Sequence, residues 1–166
     1  MPLAVFEKRL AGLRVAAGII TQSLLPGKTL EEFVCQEAQD LSRHELAHLT
    51  KDLAGLFARL HEHHFFHRDL KGINIFVHFD QRRRPHLYLL DLDGCRANGR
   101  GYLKKVKSLG RLARASLDWP VVSRTARLRF LKAYLECSGD SSGQWKSWWR
   151  SIDRQVRRKF RRQDRR

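Results

Sequence analysis

At 166 residues with 42% hydrophobic side chains, the chain is long enough to bury one core and too short for two ordinary domains. Its 33 Lys and Arg against 17 Asp and Glu give a formal charge of +16, a field that favours an anionic partner without choosing among phosphates, nucleic acid and an acidic membrane. Cys35, Cys95 and Cys137 are too scattered for a disulfide framework or a zinc knuckle, and every apolar run breaks well short of the ~20 residues of a membrane span.

Glu7, Lys8 and Arg9 follow the first apolar run rather than precede a long one, the wrong order for a signal peptide, so a cytoplasmic chain is expected. Residues 2–10 and 13–24 are short apolar runs around Ala11 and Gly12 and read as an antiparallel hairpin. Two strands alone are marginal in water, so this hairpin must pack on helices or join further strands. Pro26 and Gly27 end it, and Thr29 caps a short helix with Glu31 and Glu32 in the first turn.

From Ser42 a long amphipathic helix is expected to about residue 63. Ser42 and Glu45 have capping-box spacing, and Leu46, Leu49, Leu53, Leu56, Phe57 and Leu60 fall in a sector of roughly 100°. The same helix contains HELAH, residues 44–48, which fits the HExxH pattern of zinc proteases. Yet His44 and His48 project opposite the leucine stripe, Lys51 stands where a metzincin has Gly, and Glu62 lies about 21 Å along the helix from His48. A zinc hydrolase is therefore disfavoured. His61, His63 and His64 sit at the helix end, where capping of orphan carbonyls is the expected role.

The next stretch, residues 67–94, reads HRDLKGINIFVHFDQRRRPHLYLLDLDG. Phosphoryl transfer needs an acceptor for a hydroxyl proton, cationic groups for the moving phosphate and hard oxygen ligands for magnesium. Asp69 can orient and deprotonate the acceptor, Lys71 can meet the γ-phosphate, and Asn74 can supply a metal-binding carbonyl. INIFV then reads as a strand, an Arg-rich turn follows, and HLYLL returns as a second strand that ends on Asp91, so a carboxylate comes back to the same place. Asp93 is the competing metal ligand. His67 and Arg68 are expected to be structural first.

Residues 102–116 and 123–135 read as helices, the second capped by Ser123 with Leu128, Leu131 and Leu135 as its apolar edge, and 138–143 as a loop. From Gln144 a last helix interleaves Trp145, Trp148, Trp149, Ile152, Val156 and Phe160 with ten basic residues. Only Asp153 and Asp164 oppose them, so half of the formal charge lies at this end. Two readings stand: a helix on an anionic membrane interface, or tryptophans packed inward with a solvated tail.

HRDLKGIN resembles the HRDxxxxN catalytic loop of the protein kinase-like superfamily, with Asp91-Leu92-Asp93 standing where DFG would stand. Within that superfamily the chain resembles the lipopolysaccharide kinase (Kdo/WaaP, InaA-like) family, on LLPGKTLEEF, LLDLDG and RLARASLDWPVVSRTARLRFLKAYL, over nearly all of residues 2–155. The resemblance implies an α+β, protein kinase-like fold, mainly the helical C-lobe. Residues 1–24 would be a β-hairpin remnant of the N-lobe, 25–143 the C-lobe, and 144–166 a basic aromatic helix and tail.

It also implies an ATP-dependent phosphotransferase acting on a sugar hydroxyl of a lipopolysaccharide core or related anionic, lipid-linked acceptor at the cytoplasmic face of the inner membrane. Asp69 carries over as catalytic base, Lys71 as the phosphate-stabilising lysine, and Asn74 and Asp91 as ligands of the magnesium that accompanies ATP. No specific nucleic acid is expected, since no nucleic-acid-binding fold is recognisable. The glycine-rich loop, the strand lysine and its helix glutamate are not found, and the family comparison places Lys8 on a later strand than the ATP lysine. The expectation is a chain that begins inside the N-lobe and whose activity alone is conditional on those elements. The alternative is a noncatalytic module docking to an anionic membrane or partner.

Overall fold

The computed structural model describes residues 2–24, 26–97, 101–140 and 142–163. Ala11 and Gly12 take φ of 49° and 79°, the left-handed pair that a tight two-residue turn requires. They fold β1 (Pro2–Leu10) onto β2 (Leu13–Thr21), which stops three residues before the expected end. Among the described residues this hairpin pairs with no other strand, and Leu3, Val5, Phe6, Leu10, Leu13, Val15, Ile19 and Ile20 are all exposed.

The remainder encloses one core. After β3 (Lys28–Thr29), α1 (Leu30–Gln36) starts on a capping box in which Thr29 and Glu32 each bond the other's backbone N–H. Ser42 and Glu45 do the same for α2 (Arg43–Glu62), whose Leu49, Leu53, Ala54, Phe57 and Ala58 are buried. Each such side chain contributes about 1.5–3 kcal/mol when fully buried if it is as large as Leu or Phe. HELAH faces solvent: His44 and His48 have Nε2 atoms 3.2 Å apart, while Glu45 is committed to Ser42 and Arg83.

The end of α2 corrects the capping role expected of its histidines. The last carbonyls are met by main-chain donors, His63 N–H to Arg59, His64 N–H to His61 and Phe65 N–H to Leu60, with His64 left-handed at φ 62°. His61 instead turns inward and is 2% exposed, its Nδ1 2.9 Å from the Tyr134 hydroxyl. Burial, helped by the Lys105 charge and opposed by Asp140, pushes its pKa down to about 4.

α3 (Tyr102–Ala115) packs against α5 (Trp145–Gln163), and α2 packs against α4 (Arg124–Cys137), which Ser123 caps. Trp148 is buried edge-on to Tyr102, with ring centroids 4.6 Å apart, and Trp145 and Trp149 are partly buried against the core. Lys132 and Arg124 lie over those two rings. The tryptophans of the last helix are thus used inward, while Lys146, Arg150, Arg154 and Arg158 face out; the side chains of residues 159–166, Phe160 among them, lie outside those described.

Candidate active site

β4 (Phe66–His67) pairs antiparallel with β7 (Cys95–Arg96), and Arg68 N–H donates to Gly94 O at 2.8 Å. The chain between therefore leaves and returns at one place. It makes the excursion as the hairpin β5 (Ile75–Phe79) and β6 (Pro85–Leu89), in register from Ile75 opposite Leu89 to Phe79 opposite Pro85. Asp80 ties its turn by accepting from the Arg82 and Arg84 amides at 2.8 and 2.9 Å. β3 adds a third strand beside β5, and α1 packs on this sheet with Phe33 and Phe79 centroids 5.1 Å apart.

At the open end of that hairpin, Leu90 N–H donates to Asn74 O at 2.8 Å, which brings the Asn74 and Asp91 segments together. The β6 strand ends at Leu89, so Asp91 is not its last residue as expected. It is a left-handed corner at φ 52°, followed by a single 3₁₀ turn, Leu92–Gly94, that holds Asp93. Asp accepts this conformation more readily than most residues.

His67 joins the two loops. Its ring is fully buried; Nδ1 accepts the Asp69 N–H at 3.2 Å and Nε2 lies 2.8 Å from Asp91 O. With those partners Nδ1 serves as the acceptor and Nε2 as the donor. A Cβ at Gly94 would stand 2.4 Å from the ring, so only glycine lets the returning chain pass.

Asp69 is half exposed and its Oδ2 accepts from Lys71 Nζ at 2.9 Å. Its main-chain O accepts from Asn74 Nδ2 at 2.8 Å, bridging the loop. That bond uses the Asn74 amide nitrogen and leaves Oδ1. The amide oxygen and the Asp91 carboxylate are a hard-oxygen donor pair of the kind magnesium takes, with its other positions filled by water or phosphate. All four residues singled out in the sequence thus lie on two loops locked to one another.

One neighbour gave no signal in the sequence. Arg111 of α3 has an Nη1 without solvent contact or hydrogen-bond partner among the described residues, and its electrostatic neighbours include Asp69. Among 33 basic residues, spacing alone could not single it out.

The model of the lipopolysaccharide kinase (Kdo/WaaP) family matches residues 1–134. Among solved structures, WaaP in complex with acyl carrier protein is similar at TM-score 0.65 and 21% identity, covering 93% of this chain and 68% of that one, a likeness of fold. No curated protein matches. With most of its length matched and a protein kinase-like fold in place, the chain belongs to the lipopolysaccharide kinase (Kdo/WaaP) family of phosphotransferases.

Proposed function

We propose that the chain supplies the catalytic half of an ATP-dependent transfer of phosphate to a hydroxyl of an anionic, lipid-linked sugar. The observation that carries this is the coupling of the two loops: Asp69 and Lys71 on one, Asp91 on the other, with Asn74 between and His67 bonded to both sides. In the reaction the acceptor oxygen bonds to the γ-phosphorus, the bond to the β–γ bridging oxygen breaks, ADP leaves, and the hydroxyl proton passes to Asp69.

Lys71, resting on Asp69, is within reach of the transferred group and balances its charge. Asn74 and Asp91 would hold magnesium, which when bound screens the phosphate oxygens; Asp93 is the alternative ligand. Residues 1–24 serve as the N-lobe portion, 25–143 as the C-lobe, and 144–166 as a basic element. Among the described residues no helix is long and apolar enough to cross a membrane. The outward basic face of α5 suits peripheral attachment to anionic headgroups on the cytoplasmic side of the inner membrane.

The test is transfer of labelled phosphate from MgATP to a lipopolysaccharide core acceptor, expected with the parent chain and lost in Asp69→Asn. Nucleotide that produces no thermal shift and no transfer would favour the noncatalytic alternative, a module that keeps the fold and docks to a membrane or partner.

A specific observation also supports a protein partner. An apolar cavity of about 980 Å³ opens among α2, α3, α4 and α5, lined by Leu53, Leu112, Val121, Phe130 and Trp149 and reached by Arg127, whose Nη1 is buried without a partner among the described residues. Such a cavity suits an acyl chain, and WaaP has been captured with acyl carrier protein. Co-elution with acylated but not with unacylated carrier protein is the expected result.

A further inference from the structure

HELAH is a motif that phosphoryl transfer leaves unused. A spacing of four stacks residues 44 and 48 on one side of α2, and in the fold both imidazoles are exposed with their Nε2 atoms 3.2 Å apart. The rings are inclined at 64° with centroids 4.4 Å apart. A straight N–H···N bond between two imidazoles would hold the centroids roughly 5.5 Å apart, so the contact is a bent, weak one. Two imidazole nitrogens on one tetrahedral zinc, each about 2.0–2.1 Å from the ion, stand about 3.3 Å from one another. The pair already has that bite.

Glu45 decides what such a site does not do. Its carboxylate accepts from the Ser42 N–H at 2.9 Å and from Arg83 Nε at 3.1 Å, so the helix cap holds the group that hydrolysis would need as a base. Among the described residues no third His, Cys, Asp or Glu completes a group, and the remaining positions on an ion fall to water. We propose that His44 and His48 chelate a divalent transition ion, zinc, nickel or copper, which clips the first two turns of α2 without hydrolytic chemistry. Ligand type keeps it apart from the magnesium site proposed at Asn74 and Asp91: imidazole suits zinc, nickel and copper, whereas amide and carboxylate oxygens suit magnesium. The positive end of the helix opposes a cation here by only about two- to fivefold in affinity.

The experiment titrates the full chain with zinc chloride by calorimetry in excess magnesium, which occupies the oxygen ligands. One equivalent is expected to bind, and zinc at about a hundredfold excess over its Kd should raise the melting temperature by about 5 °C. His44→Gln and His48→Gln should each weaken zinc at least about tenfold. Both side chains are exposed, so without zinc the two variants should melt like the parent.

Copper(II) gives the second readout. The paramagnetic resonance spectrum of the parent should carry coupling to two imidazole nitrogens, and that of each variant to one. Absence of zinc binding overturns the chelate. Zinc affinity that both substitutions leave unchanged, or a two-nitrogen spectrum that survives them, moves the ion to other histidines and overturns it equally. Transfer from MgATP should be the same in the parent and both variants; a loss there would put the pair in the catalytic machinery and overturn its separation from the magnesium site.

Discussion

The molecule contains two antiparallel hairpins that fare differently. β1–β2 has nine residues in each strand and is rich in apolar side chains, yet those side chains stand in solvent; Val5 is 72% exposed. β5–β6 has only five residues in each strand, yet Ile75 and Val77 are 0 and 2% exposed. The difference is support: the second hairpin gains β3 at its edge and α1 on its face, and among the described residues the first gains neither. Strand length and hydrophobicity therefore do not decide how far a hairpin is buried, and the candidate chemistry is mounted on the supported one.

The comparison is broken most severely at the open end of the second hairpin. Asp69→Asn and Asp91→Asn should each lower phosphoryl transfer by about 10²-fold or more, with little change in melting temperature because both side chains are exposed. A paired loss of activity and stability would mean that these carboxylates hold the fold instead. Next in size, Ile75→Ala should cost about 2–5 kcal/mol in urea unfolding.

Acid tests the helical base beneath the supported hairpin. The His61 ring, facing Tyr134, Lys105 and Asp140, is held neutral in the fold with its pKa depressed to about 4, against 6.5 ordinarily. Its contribution is present above pH 6.5 and is lost as pH falls toward 4, because the unfolded chain takes up a proton that the fold refuses. The loss is up to about 3 kcal/mol. His61→Gln should flatten that part of the stability curve, and an unchanged curve would show the ring to be accessible.

Gly94→Ala should push His67 aside and lower activity more than stability, read as kcat against melting temperature. The smallest effect belongs to the unsupported hairpin: Val5→Ala should stay within about 0.5 kcal/mol of the parent. A loss as large as that of Ile75→Ala would show that β1–β2 is covered in solution.

The helix starts at Thr29, Ser42 and Ser123 were legible because a cap lies within three residues of what it satisfies. The β5–β6 pairing was legible for the same local reason. What escaped depends on distant chain. His61, His63 and His64 look equivalent until α4 brings Tyr134 to one of them. The last helix left two readings open, and only the placement of Tyr102 and Tyr134 shows where Trp148 goes. Arg111 comes into the electrostatic neighbourhood of Asp69 only because α3 is laid on β4.

The buried His67 ring has one more consequence. A bond from the Asp69 amide and another to the Asp91 carbonyl place one rigid five-membered ring between the main chains of the two loops, beside the Arg68–Gly94 and Leu90–Asn74 bonds. Positional error is then shared: if either loop drifts, the other is drawn with it, and their spacing changes less than their location. Thermal motion would translate the site more than distort it.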